Sequence, residues 1–243
     1  RWKVFPRPEI QRMCSVFGML ELNVHAPFYD KLNEVMGLKT DEFYSSYTKD
    51  KILKQRMDWV EEQFKEKDPL YITAVGSITE GAILYSNFAF LKHFQAEGKN
   101  KLMNMTAGIN FSVRDENLHS EAGAWLHKTI KKEIGISEAK YEKIIDKIKD
   151  TCSQVYEHEC RIIDMIFEQG DIKGITAKQM KNFIQSRLNI CLLQLDIKPM
   201  YNVEYDPISN WFYKNINSGS LHDFFAKQGN NYSRDWVEGK FAW

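Results

Sequence analysis

The 243-residue chain is long enough for one large domain with a sizeable core, and its 43% hydrophobic and 27% charged residues are ordinary for a globular protein. Lysine plus arginine and aspartate plus glutamate both number 33, so the formal net charge is zero, which argues against a protein that binds nucleic acid or a membrane surface through a basic face. No apolar run is long enough to span a bilayer. The four cysteines form no C-x-x-C pair, which predicts free thiols and a reducing, cytoplasmic location.

The predicted elements are all helical, because no stretch of the chain alternates apolar and polar residues over the length of a strand. Pro8 and Glu9 begin the first helix, since proline and acidic residues are favoured in a first helical turn. Six helices are predicted, over residues 9–37, 40–67, 70–96 and 102–134, then from residue 137 and from residue 176. Residues 1–243 are therefore interpreted as a single all-α domain.

The strongest chemical feature is the run Arg-Asp-Glu-Asn-Leu-His at residues 114–119 of the fourth helix. Glu116 and His119 are three residues apart, so both side chains leave one face of the helix. A carboxylate and an imidazole together suit iron or manganese. On a protein surface such a pair needs no metal, but the apolar residues of this helix predict burial, and a buried Glu–His pair needs partners or a metal.

Glu21 and His25 form a second pair, four residues apart in the first helix. Pro27 follows within the same helix, where a proline removes a hydrogen-bond donor and forces a kink or local unwinding. We expect a one-residue helical bulge here, because such bulges concentrate at functional sites. A bulge would let the four-residue spacing serve as a three-residue one.

Glu80 is the only acid between Leu70 and Gln95. A carboxylate on a nearly uncharged helix is costly unless a neighbouring arginine, a hydroxyl or a metal compensates it. With the two Glu–His pairs it matches the ligand order of ferritin-like dinuclear carboxylate proteins, in which two helices give one Glu each and two give a Glu-x-x-His each. The first single acid of that order has no counterpart, so we expect either a first core helix before residue 1 or an incomplete metal site.

Taken together, these residues resemble the small (β) subunit of class I ribonucleotide reductase. The resemblance rests on Pro8-Glu9-Ile10, Glu21, His25-Ala26-Pro27-Phe28-Tyr29, Glu80-Gly81, the run at 114–119, Asn210-Trp211-Phe212, Asp223-Phe224-Phe225 and Asn231-Tyr232-Ser233. It covers nearly the whole chain, and the combination is specific although no single motif is. It implies a ferritin-like helical bundle and an oxidoreductase that makes deoxyribonucleotides for DNA replication.

The resemblance also implies a dinuclear metal centre, of iron or else of manganese or mixed manganese and iron. The implied metal ligands are Glu21, His25, Glu80, Glu116 and His119. Tyr29 corresponds to the family's radical-bearing tyrosine, which is oxidised after the reduced metals react with dioxygen. Asp115 corresponds to the acid that orients a ligand histidine and belongs to the electron-transfer route. We expect Phe28, Leu84 and Phe88 to shield the tyrosine from water.

One departure from the family's pattern concerns the first Glu–His pair, which has one residue more than usual between its members. A regular three-residue spacing to His25 would place Leu22 at the ligand position. Glu21 is preferred because its interval from Pro8 supports it and because Pro27 offers a cause for a bulge. For Tyr29, the alternative is a structural, hydrogen-bonded tyrosine.

The implied function is a radical-generating small subunit of class I ribonucleoside-diphosphate reductase. The chain would form a homodimer and pass its radical to the large (α) subunit, where nucleotides are reduced, with no nucleic acid or membrane as partner. Two other functions stay open. One is a ferritin-like dimetal oxidase or oxygenase that acts directly on a small substrate, and the other is a metal-free helical subunit, which Leu22 and the incomplete ligand set would favour.

Overall fold

The structure is a computed structural model that describes residues 7–96, 99, 101–203 and 205–213. Within those residues the chain is helical and has no strand, apart from an isolated bridge between Ile172 and Ile175, so the all-α prediction is confirmed. The first helices are α1 (Pro8–Leu20), a π-helical segment (Glu21–His25), α2 (Ala26–Val35), α3 (Asp41–Lys49), α4 (Lys51–Gln63), α5 (Pro69–Ala82) and α6 (Tyr85–Lys92). They are followed by α7 (Met103–Ile134), α8 (Glu138–Ile166), α9 (Ala177–Gln194) and α10 (Pro207–Phe212).

The first predicted helix is continuous but irregular in the middle. The Ala26 N–H donates to the Glu21 carbonyl, five residues earlier, so one extra residue is accommodated in the turn. Pro27 lies in the first turn of α2 and has no N–H, so it cannot donate a hydrogen bond to a carbonyl of the widened turn. The helical bulge expected beside Pro27 is therefore confirmed.

Two predicted helices are each broken into two, so the predictions of single helices over 40–67 and 70–96 are wrong. Asp50 is extended between α3 and α4, and its carboxylate accepts a hydrogen bond of 2.8 Å from the Leu53 N–H. The second break follows Ala82, where Ile83 and Leu84 form a turn between α5 and α6. Buried side chains from distant helices bind the backbone there, which no local pattern reveals.

The core lies between α5, α7, α8 and α9, and α5 and α7 approach most closely. Small residues permit that approach, because a Cβ on Gly123 would lie only 3.1 Å from the Ser77 backbone nitrogen. Ser77 Oγ donates to the Ser120 carbonyl at 2.8 Å, and Ser120 Oγ donates to the Ser77 carbonyl at 2.9 Å. This contact places Glu80 of α5 against the middle of α7. None of the described helices has the length and apolar composition that a membrane span needs.

The α1–α2 helix lies against the other side of α7 and makes its closest contact at a glycine. A side chain on Gly108 would overlap the ring of Phe28, which packs directly on the α7 backbone at that point. Phe28 precedes Tyr29 and meets its ring edge-on, with centroids 5.0 Å apart. The position of the Tyr29 ring therefore depends on the absence of a Cβ at residue 108.

We predict that Gly108→Ala is less stable than Gly18→Ala by about 1–3 kcal/mol in the free energy of unfolding, the usual cost of overpacking. Both glycines lie inside helices, so both variants gain the same helix propensity. They differ because a Cβ on Gly18 meets no atom within 4 Å. Chemical denaturation measures the difference, and equal stability of the two variants would contradict the packing of Phe28.

Candidate metal centre

The five predicted ligands come from three helical elements that meet beside the core. Glu21 and His25 are the ends of the π-helical segment, Glu80 lies in the last turn of α5, and Glu116 and His119 lie in the middle of α7. His25, Glu116 and His119 are buried, while the Glu21 and Glu80 side chains are 46% and 43% exposed. The cluster therefore has a closed side on α7 and an open side at the two glutamates.

Both histidines turn Nδ1 toward the carboxylates. His25 Nδ1 lies 2.9 Å from Glu21 Oε1 and 3.4 Å from Glu116 Oε1. His119 Nδ1 lies 3.2 Å from Glu116 Oε2, 3.8 Å from Glu80 Oε2 and 3.9 Å from Glu21 Oε1. Glu116 thus stands between the two imidazoles, and each of its oxygens faces a different one.

The π-helical segment determines that Glu21, and not Leu22, faces the cluster. With the extra residue in this turn, Glu21 and His25 share a face although they are four residues apart. Leu22 points away, with 71% of its surface exposed. Glu21 therefore faces the other clustered side chains and Leu22 does not.

Asp115 lies behind His25, on the side away from the carboxylate cluster. Its Oδ2 is 3.0 Å from His25 Nε2 and accepts that nitrogen's hydrogen. A carboxylate that binds the outer ring nitrogen fixes the tautomer and leaves Nδ1 available as a ligand atom. The Asp115 side chain is 25% exposed, so it connects the buried imidazole with the protein surface.

Tyr29 is partly buried and borders the same cavity as Glu21, His25 and Glu116. Its hydroxyl donates a hydrogen bond of 3.1 Å to Ser112 Oγ. Burial raises the pKa of the Tyr29 phenol, and the nearby carboxylates raise it further. Of the residues expected to shield Tyr29, Phe28 contacts its ring, while Phe88 and the 38% exposed Leu84 line the cavity beside it.

The two histidines are cationic in the metal-free protein. Burial alone would lower the pKa of His25, but hydrogen bonds with Asp115 and Glu116 and the charge of Glu21 raise it to about 10. Burial acts in the same way on His119, whose pKa Glu116 and Glu80 raise to about 9. Both imidazoles therefore carry a proton at neutral pH.

Glu80 and Glu116 have very different pKa values. Burial raises the pKa of Glu80 to about 7, with help from a hydrogen bond to Glu116. Burial would also raise the pKa of Glu116, but hydrogen bonds with His119, His25 and Glu80 lower it to about 2. The metal-free protein therefore balances its clustered carboxylates with protons on the imidazoles and, in part, on Glu80.

The donor set fits a transition-metal ion. Ligand atoms of Glu21, Glu116 and His119 all lie within 4.8 Å of one another, close enough for one cation to bind all three. Glu21 Oε1 is inaccessible to water yet accepts no hydrogen bond within the described structure, although it lies close to His25 Nδ1. Oxygen and imidazole donors of this kind suit iron or manganese. Cations at this position would replace the protons that now balance the carboxylates.

One contact of the candidate site was not predicted from the sequence. Ser112 accepts the Tyr29 hydrogen bond. The sequence indicates this contact only through the position of Ser112 on α7. Gly108, Ser112 and Glu116 recur at four-residue steps and so share the face that meets α1 and α2. Of the patterns near the end of the chain, those at 223–225 and 231–233 lie outside the described residues.

Known proteins resemble this chain along most of its length. Residues 2–207 match the family model described as ribonucleotide reductase, small chain. The "Probable ribonucleoside-diphosphate reductase small subunit 048L" of Invertebrate iridescent virus 3 is 25% identical over 267 aligned residues, covering 99% of this chain and 68% of the viral protein. The ribonucleoside-diphosphate reductase subunit beta of Bacillus subtilis is 26% identical over 235 residues, covering 93% of this chain and 68% of the relative.

A crystal structure from Bacillus halodurans, assigned to class I ribonucleotide reductase, has the same fold. It superposes with a TM-score of 0.74 at 24% identity and covers 85% of this chain and 75% of its own. The expected ferritin-like helical fold is therefore confirmed.

We predict that the affinity of the site for Mn²⁺ rises steeply between pH 6.5 and pH 9. His25 and His119 hold their protons up to pKa values of about 10 and about 9, and each must release its proton before Nδ1 can bind a cation. The affinity should rise by about tenfold per pH unit for each proton released. A Mn²⁺ titration followed by the electron paramagnetic resonance (EPR) signal of the free ion measures it, and an affinity that stays flat over this range would count against these ligands.

Proposed function

This chain belongs to the ribonucleotide reductase small-chain family, and from that premise we propose that it generates and stores the tyrosyl radical of a class I ribonucleoside-diphosphate reductase. The observation that carries the proposal is the arrangement of one cavity. The cavity is bordered by Tyr29 together with three of the clustered ionisable side chains, Glu21, His25 and Glu116. A phenol next to a set of metal-binding side chains is what the oxidation of a tyrosine requires.

The proposed ligands of the dinuclear centre are Glu21, His25, Glu80, Glu116 and His119. Iron is the preferred metal, and manganese or a mixed manganese and iron pair would suit the same donors. A reduced metal pair held by these residues would supply the oxidant for the reaction by activating dioxygen. The remaining acid of the family's ligand set has no counterpart within the described residues.

Tyr29 is proposed to lose one electron and its phenolic proton, both of which the oxidant derived from dioxygen would accept. Ser112 Oγ accepts a hydrogen bond from the Tyr29 hydroxyl and keeps that hydroxyl in a fixed direction. Phe28 packs edge-on against the ring and Phe88 lines the cavity beside it. These apolar side chains are proposed to limit the access of water and reducing solutes, which would shorten the life of a phenoxyl radical. The contact between Asp115 and His25 Nε2 provides a hydrogen-bonded route for the electron between the cluster and the surface.

In this proposal the chain binds no nucleotide itself. The radical passes to the large subunit, where ribonucleotides are reduced, and the small subunit works as a homodimer in the cytoplasm. Support for the pairing with a large subunit comes from the family, whose small chains work with one.

A second candidate function is direct oxidation of a small substrate by the same centre. It is favoured by a largely apolar cavity on the open side of the cluster, where Phe17, Ile72 and Leu126 face Glu21, Glu80 and His119. Turnover of an apolar substrate without any partner subunit would support this function, whereas the radical-storing function requires the partner.

We predict that Tyr29→Phe abolishes the tyrosyl EPR signal that forms when the full-length protein is reconstituted with Fe²⁺ in air. The expected metal content is about two per chain, as in other four-helix carboxylate centres. Tyr71→Phe is the matched control, because Tyr71 is also buried but lies nine residues before Glu80, about 13 Å away along α5.

The outcomes of this experiment separate the three candidate functions. A signal lost in Tyr29→Phe and kept in Tyr71→Phe supports radical storage on Tyr29. Two metals without a tyrosyl signal in the wild type favour direct oxidation of a substrate. A protein that binds no metal would be the metal-free helical subunit.

We also predict that Asp115→Asn weakens Mn²⁺ binding by about 10- to 100-fold, the usual effect of removing a carboxylate behind a ligand histidine. The amide keeps the shape of Asp115 but loses the charge that fixes the His25 tautomer. Glu121→Gln removes one charge from an exposed position of α7 and serves as the control. Equal affinities of the two variants would refute a role of Asp115 in holding His25.

A further inference from the structure

Arg187 is a fully buried cation that the proposed mechanism does not use. It lies in the middle of α9 and exposes 1% of its surface. Within the described part of the chain its hydrogen-bond partners are carbonyl, amide and phenol oxygens, and no carboxylate pairs with it. Burying a charge without a counter-ion costs free energy, which indicates that Arg187 has a specific role.

Arg187 binds the two residues that directly follow two of the proposed ligands in the chain. Nε and Nη2 both donate to the Gly81 carbonyl, at 3.0 and 2.8 Å. Nη2 also donates to Asn117 Oδ1 at 3.1 Å. Gly81 follows Glu80 and Asn117 follows Glu116, so one guanidinium connects the backbone beside one carboxylate with the side chain beside the other.

The break between α5 and α6 explains why such a donor is needed. Gly81 is one of the last residues of α5, whose final carbonyls have no intrahelical N–H to bind. A buried carbonyl without a donor is destabilising, and the two bonds from Arg187 satisfy this one. The helix can therefore end directly after Glu80 while its end stays buried.

Other groups fix the direction of the guanidinium itself. Nη1 donates to the Tyr213 hydroxyl at 2.8 Å, and the guanidinium carbon lies 4.0 Å from the centre of the Tyr85 ring. The Tyr85 hydroxyl donates in turn to Asn117 Oδ1 at 3.1 Å. The planar group is thus held from several sides, an arrangement that a lysine ammonium cannot reproduce.

We propose that Arg187 is a positioning residue for the metal centre, which fixes the distance between the Glu80 and Glu116 carboxylates by bridging Gly81 and Asn117. This inference rests on the proposed metal-binding function of those glutamates. Arg187 touches neither carboxylate, so it acts through the backbone of α5 and the side chain of Asn117. Removing the bridge should loosen the ligand geometry before it unfolds the protein.

The test is Mn²⁺ binding to the full-length chain, followed by EPR of the free ion, in Arg187→Lys and in Asn117→Ala. We expect each variant to bind Mn²⁺ about tenfold more weakly or worse, the range typical for residues that support metal ligands. His127→Gln is the stability control, because His127 is a buried, hydrogen-bonded residue about 12 Å from His119 along α7.

A second measurement separates this inference from the proposed function. In the metal-free protein, amide hydrogen exchange across residues 81–86 should be faster in Arg187→Lys than in the wild type and unchanged in His127→Gln. If the wild type binds no Mn²⁺, the proposed function fails. The exchange result alone then decides whether Arg187 stabilises the break between α5 and α6. The proposal is overturned if folded Arg187→Lys and Asn117→Ala proteins both bind Mn²⁺ like the wild type, or if exchange at the break does not change. Should Arg187→Lys fail to fold, Asn117→Ala carries the Mn²⁺ measurement, because it removes the bridge to Asn117 and leaves both bonds to the Gly81 carbonyl in place.

Discussion

The arrangement depends on placing three carboxylates and two imidazoles within a few ångströms of one another beside an apolar core. Such groups repel or lose hydration unless protons or cations balance them. In the metal-free protein the balance comes from protons on His25 and His119, whose pKa values are raised to about 10 and about 9. Metal ions would replace those protons, so the same charges that make the cluster costly make it a strong cation site.

Two of the three helices that bring proposed ligands, the first helix and α5, depart from regular helix at the ligand. The first helix widens into a π-helical segment that begins at Glu21 and ends at His25. Helix α5 ends within two residues of Glu80, and α7 stays regular but meets α5 through glycine and serine contacts. Departures from regular helix are tolerated at functional sites because surrounding contacts compensate them. Here the compensation comes from Pro27, Arg187 and the paired serines.

The sequence was informative where a signal is local. The Glu116–His119 spacing predicted one face of a helix, and Pro27 predicted the irregular turn that lets Glu21 rather than Leu22 face the cluster. The break after Ala82 could not be predicted, because its backbone groups are bound by residues far away in the chain. Arg187 binds the Gly81 carbonyl from α9, and Glu159 accepts from the Ser86 N–H from α8. No window around residues 81–86 contains either side chain.

The surroundings of the partly buried Tyr29 and the fully buried Tyr85 support the choice of Tyr29 as the proposed radical site. Tyr85 is fully buried five residues after Glu80, but the Arg187 guanidinium lies 4.0 Å from its ring centre. A fixed positive charge against the ring opposes removal of an electron by Coulomb repulsion, more so where water is excluded. Among the described residues no cation packs on the Tyr29 ring, and the carboxylates of Glu21 and Glu116 lie close enough to raise the pKa of its phenol. The Arg187 guanidinium therefore raises the electrostatic barrier to oxidation of Tyr85, and within the described part of the chain no cation stacks in this way on the Tyr29 ring.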